Sequence, residues 1–175
     1  VAMPNQIKSV VHASWVVPIE PAGICLQDYC VAIDADGSIV GVLPSNEARQ
    51  KYPQAHHQDL PGQVLLPGLI NLHSHAAMTV MRGLADDLPL MAWLNDRIWP
   101  AEQKHADAEM VYDGTLLACT EMLLGGVTSF NDMYFFPDAS VRAALTAGMR
   151  LTAGIVAIEF PNSYSSDAAD GLHKG

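Results

Sequence analysis

The residues of this chain best suited to chemistry are two histidines one residue apart, in Asn71-Leu72-His73-Ser74-His75. They follow the apolar run Val64-Leu65-Leu66-Pro67-Gly68-Leu69-Ile70, which reads as a strand of the kind buried on both faces in a parallel sheet. Residues two apart on a strand point to one face, so an extended backbone here projects both imidazoles together from the strand's C-terminal end. In α/β folds that end is where active sites lie. Two neutral imidazoles converging on a point suit a borderline-soft divalent ion, zinc first, with Fe2+ or Mn2+ as alternatives. A bare H-x-H is equally compatible with a solvated pair. His12, His56, His57, His105 and His173 have no partner at metal-ligand spacing and read as surface or satisfied histidines. Asp86-Asp87 falls on a loop and reads as a solvated turn or cap.

The elements that must position the histidine pair fall into two regions. Residues 1–63 read as a small β module: a valine-rich strand from Ile7 to Val17, then Tyr29 to Ile33 and Ser38 to Leu43 around the turn Ala35-Asp36-Gly37. Ser45 is placed to cap a short helix running to Lys51, before Pro53. Residues 64–175 alternate strand and helix. After the apolar run come helices at Leu88 to Ile98 and Ala108 to Leu124, the latter closed by Gly125-Gly126, and then a strand at Val127 to Phe130. Pro137 and Asp138 open a helix through Thr146, and Arg150 to Ile158 is a third strand. This order implies a parallel α/β sheet, open or closed into a barrel.

Composition narrows the partners. The 19 acidic against 9 basic residues give a formal net charge of −10, which repels polyphosphate and anionic membrane surfaces, so neither nucleic acid nor a membrane is expected. Cys25, Cys30 and Cys119 form no CxxC pair, and their odd number and wide spacing fit a reducing, cytoplasmic setting. The stretch after Lys8 is broken by His12, Ser14 and Pro18, too short and polar for a signal segment or a membrane span.

Pro67-Gly68-Leu69-Ile70-Asn71-Leu72-His73-Ser74-His75 resembles the opening motif of the amidohydrolase superfamily. The likeness continues through Met78, Arg82 to Leu90, Trp93-Leu94, Pro100-Ala101-Glu102 and Gly126 to Tyr134, where it looks like the branch of 5′-methylthioadenosine/S-adenosylhomocysteine deaminases and triazine hydrolases. The resemblance implies a metal-dependent (β/α)8 barrel whose first strand carries metal ligands His73 and His75, preceded by part of a β-sandwich. It implies hydrolytic deamination of an adenine nucleoside, in which a metal ion lowers the pKa of bound water so that it attacks the ring carbon bearing the amino group. The substrate would be a small nucleoside, and a homo-oligomer is expected. Glu102 matches the position that holds the ribose hydroxyls in this branch, and a carboxylate accepts strong hydrogen bonds from a vicinal diol. The competing reading of Glu102 is a solvated glutamate in a first helical turn.

Met78, Trp93 and Trp99 read as core rather than pocket lining, and Asn131, Asp132 and Tyr134 as residues that fix loop geometry. The substrate arginines that the family places after its third strand have no counterpart around Ile158-Glu159-Phe160-Pro161. Val64 onward supplies about 110 residues and three of eight expected strands, so a third histidine, the acid/base carboxylate and a final aspartate are expected beyond residue 175. Other members of the same fold, a guanine deaminase or chlorotriazine hydrolase, and a non-catalytic barrel relative, are the alternative readings.

Overall fold

In the computed structural model, which describes residues 6–175, the chain is a mixed α/β protein of two compact units that divide between Pro67 and Gly68. The sequence placed the boundary at residue 63. It lies later because a strand absent from the sequence reading, His56–Leu65, belongs to the first unit.

The first unit holds β1 (Ile7–Val16), β2 (Leu26–Asp34), β3 (Ile39–Pro44), α1 (Ser45–Lys51) and β4 (His56–Leu65), its sheet ordered β3-β2-β1-β4. Neighbours β3, β2 and β1 are antiparallel, and β4 runs parallel to β1. The β1–β4 register slips between Ala13 and Trp15, opposite Pro61 and Gly62, and the Gly62 amide donates to Ser14 Oγ at 2.8 Å. A proline is tolerated in this strand because β4 is an edge. Val10, Cys30, Ala32 and Ala48 form the core. Ser45 does not cap α1: Pro44 occupies the cap position and offers no side-chain hydrogen bond.

The second unit contains β5 (Leu69–Ser74), a 3-10 turn (Ala76–Met81), α2 (Leu90–Trp93), a π turn (Leu94–Ile98), α3 (Trp99–His105), α4 (Ala108–Leu124), β6 (Val127–Met133), α5 (Pro137–Ala147), β7 (Arg150–Gly154) and α6 (Ala168–Lys174). Its three strands are parallel in the order β5-β6-β7. Pro67 separates β4 from β5, so the apolar run is two strands and not one. Nor is that run buried on both faces: Val64, Leu69 and Ile70 are 52, 53 and 65% exposed.

Two glycines set close approaches in this unit. A side chain at Gly68 would lie 2.2 Å from Thr128 Oγ1, so the start of β5 can sit against β6 only without one. A side chain at Gly114 would lie 2.3 Å from the carbonyl oxygen of Ala77, which lets α4 press against the 3-10 turn that follows His75. Phe130 of β6 packs with Ala118 and Cys119 of α4 and Ala144 of α5, tying helices to sheet. The helix expected to end at Ile98 continues to His105 through the π turn. Pro100 supplies the reason: it lacks the amide that would bond four residues back, and its ring crowds that carbonyl, so the wider turn precedes it. Among the described residues no helix is long and apolar enough to cross a membrane.

Candidate active site

His73 is the next-to-last residue of the edge strand and His75 stands just past its end, with ring centroids 5.1 Å apart and planes at 82°. His75 Nδ1 lies 2.7 Å from the carbonyl oxygen of Met133 on β6. A carbonyl only accepts, so Nδ1 carries the proton and Nε2 keeps its lone pair. A carbonyl that holds one ring nitrogen in this way aims the other at a metal. The donor chemistry of the pair therefore fits a divalent metal. Among the described residues no third histidine, cysteine or carboxylate joins them.

Asp132, 2% exposed, fixes the backbone on which His75 rides. Its Oδ1 accepts from the Ala76 amide at 2.7 Å and from Ser74 Oγ at 3.0 Å. Burial raises the Asp132 pKa above the usual carboxylate range, opposed by the bonds from Ala76 and Ser74 and by the nearby His75. Asn131 Nδ2 donates to the Leu72 carbonyl at 3.1 Å, so β6 holds the histidine segment at both ends. Both residues fix geometry, as read from the sequence.

Glu102 lies in the first turn of α3 and is 7% exposed, which removes the reading of a solvated glutamate. Its Oε1 accepts from Tyr134 Oη at 2.8 Å. Burial raises the Glu102 pKa, while the Tyr134 bond and the proximity of His75 act the other way. Tyr134 therefore does more than shape a loop. Its hydroxyl leaves Glu102 Oε2 free of the partner that Oε1 has.

His75 and Glu102 line one recess of about 240 Å³ together with Met78, Trp93, Trp99 and Tyr134. Met78 packs against the core as the sequence indicates and also lines the recess, whereas Trp93 and Trp99, half-buried, wall it. Met133 was missed because its contribution is a backbone carbonyl, which every residue possesses. Asp86 and Asp87 are exposed on a loop.

The sequence profile of the Amidohydrolase family matches residues 64–174. The chain belongs to this family. A 5-methylthioadenosine/S-adenosylhomocysteine deaminase of Saccharophagus degradans is 48% identical to this amidohydrolase over 95% of the chain. The chain spans 37% of that relative's length. A crystal structure of an adenosine deaminase from Xanthomonas campestris with bound zinc superposes on 98% of the chain, and 39% of its own, with TM-score 0.84 and 39% identity. E. coli guanine deaminase, at 22% identity and TM-score 0.79 over 95% of the chain, shares the fold.

Proposed function

We propose that this amidohydrolase chain is part of a zinc-dependent aminohydrolase that deaminates an adenine nucleoside, 5′-methylthioadenosine or S-adenosylhomocysteine, and releases ammonia. The observation that carries the reading is a buried carboxylate, Glu102, in the same recess as a histidine whose Nε2 is left open. A nucleoside needs both, one for the ribose diol and one beside the ring carbon that reacts.

His73 and His75 are the residues that would hold the metal, one ion per subunit. A divalent ion there supplies Lewis acidity that makes water acidic enough to react near neutral pH. The Met133 carbonyl holds the His75 ring in the ligating tautomer, and Asp132 holds the chain beneath it. Glu102, its Oε1 fixed by Tyr134, presents Oε2 to the ribose hydroxyls. Trp93 and Trp99 give the base and sugar apolar walls that exclude water. The parallel order β5-β6-β7 and the superposition on the zinc-bound Xanthomonas enzyme support reading the second unit as the first three strands of a (β/α)8 barrel. We read the first unit as the sandwich segment, the assembly as a homo-oligomer and the setting as cytoplasmic; the three cysteines are free, which fits a reducing compartment.

Ammonia release by the whole protein should be measured with methylthioadenosine, adenosine, guanine and a chlorotriazine. Turnover of the two adenine nucleosides is expected. Turnover of guanine or the triazine alone would replace this reading with a bare-ring hydrolase.

A further inference from the structure

The strand that carries the histidine pair is interrupted where the pair begins. From Asn71 opposite Phe130 to Ser74 opposite Asp132, β5 advances three residues while β6 advances two, so β5 carries one extra residue. Leu72 and His73 lie inside this bulge. Bulges bend a strand, re-aim its side chains and recur beside active sites. They also break the ladder, which leaves backbone groups in need of other partners.

Two asparagines supply those partners, in opposite senses. The His73 amide donates to Asn71 Oδ1 at 3.2 Å, and the Leu72 carbonyl accepts from Asn131 Nδ2 at 3.1 Å. An amide N–H only donates and a carbonyl only accepts, so Asn71 must present its oxygen and Asn131 its nitrogen. The other end of Asn71 agrees with this, because its Nδ2 donates to Met122 Sδ of α4 at 3.9 Å. Both backbone atoms belong to a single peptide group, the one that links Leu72 to His73. A peptide is planar with its N–H and C=O pointing opposite ways, so bonds to both fix its rotation, and with it the direction of the His73 side chain. Just past His73, Ser74 Oγ donates to the Asn131 carbonyl at 3.0 Å, so Asn131 grips β5 on both sides of that histidine.

We propose that Asn71 and Asn131 are positioning residues for the metal pair, one as an acceptor and the other as a donor on the Leu72–His73 peptide, and that the bulge they hold sets where His73 stands relative to His75. His75 is oriented at its ring, by the Met133 carbonyl, whereas His73 is oriented at its backbone. The two rings lie 5.1 Å apart, closer than the roughly 6.6 Å that two residues of rise give along a regular strand. This positioning role rests on the metal-binding reading of His73 and His75 and not on the choice of substrate.

The test exploits the opposite senses. Aspartate keeps the acceptor oxygen of asparagine and loses the donor, so it can replace Asn71 and cannot replace Asn131. Zn2+ affinity is measured by chelator competition on the whole, metal-stripped protein for Asn71→Asp, Asn71→Ala, Asn131→Asp and Asn131→Ala, beside the unaltered protein and the His73→Ala, His75→Ala double variant. The melting temperature of each metal-free protein is recorded, and the titrations are run well below it.

Asn71→Ala, Asn131→Ala and Asn131→Asp should each weaken zinc binding about tenfold or more, the range for losing a group that positions a ligand, while Asn71→Asp stays within about threefold of the unaltered protein. Each aspartate adds the same negative charge, so charge alone would move both variants in one direction. If the Asn131 variants do not fold, Asn71→Ala against Asn71→Asp decides alone. Equal effects of aspartate at both positions, or alanine variants whose melting temperatures fall while zinc affinity is unchanged, overturn the proposal and leave His73 and His75 as ligands. Zinc binding by the unaltered protein no tighter than by the double-histidine variant overturns both readings.

Discussion

The two units each hold a pair of histidine rings 5.1 Å apart, and use them in opposite ways. In the first unit His12 and His57 stack at 24°, and His57 Nε2 donates to the Tyr52 carbonyl at 3.0 Å. Its Nδ1 must then accept from His12 Nε2, 2.8 Å away. Three of the four ring nitrogens are thus engaged within the pair and with one carbonyl, while His12 Nδ1 is buried without a partner among the described residues. In the second unit His73 and His75 stand nearly edge to face, and a single carbonyl fixes the tautomer of His75 while its outer nitrogen stays open. Residue type and ring separation are the same. What separates a structural pair from a candidate metal pair is where the second nitrogen points its lone pair.

The strongest way to break this comparison is to exchange the roles by substitution. Replacing both His73 and His75 by alanine in the whole protein should reduce bound metal from about one per subunit to below about a tenth, measured by elemental analysis. The same double replacement at His12 and His57 should leave metal content unchanged and lower the melting temperature. Metal lost from both variants equally would erase the distinction.

A smaller effect should follow from loosening the support beneath His75. Asp132→Ala removes the acceptor for the Ala76 amide and Ser74 hydroxyl, and losing a group that positions a ligand weakens metal affinity about 10- to 100-fold. A chelator titration reads it directly, and unaltered affinity would make Asp132 a fold residue alone.

Glu102→Gln comes next. It keeps the shape and removes the charge, so kcat/KM for a nucleoside should fall about tenfold or more, and less for the free base. Equal losses on both would reduce Glu102 to a partner of Tyr134.

The smallest expected effect belongs to the closed pair and concerns pH. Burial, then the nearby Arg49, lowers the His12 pKa below its ordinary value, with Asp59 acting the other way and His57 lowering it further. The unfolded chain therefore binds a proton that the folded one refuses, and His12 opposes folding as pH drops below about 6.5. The melting temperature should decline across that range, and His12→Gln should flatten the decline. An identical slope in the variant would assign the dependence to other groups.

Much of this arrangement was legible from residues whose chemistry is local. Helix α4 is bounded as the sequence indicated, Ala108 to Leu124, because Asp107 caps it through the Met110 amide and a glycine pair follows it. The helix opened by Pro137 was equally plain. What stayed hidden depends on distant partners. Strand β4 begins His56-His57-Gln58-Asp59 and contains Pro61, which reads as loop until β1 is beside it. The closed histidine pair joins residues 45 positions apart, and the bond that sets the tautomer of His75 joins residues 58 apart. Glu102 was found by resemblance, but its burial and its bond to Tyr134 required the fold.

Gly114 offers a handle on the site from behind. The Ala77 carbonyl leaves no room for a methyl group there, so alanine at this position would have to push the 3-10 turn away from α4. His75 immediately precedes that turn, and its ring is tethered on the other side to Met133. The missing side chain thus acts as a spacer setting how far one imidazole reaches. A protein engineer could adjust that reach by hydrogen-to-methyl steps on a helix, without altering any atom that faces the substrate.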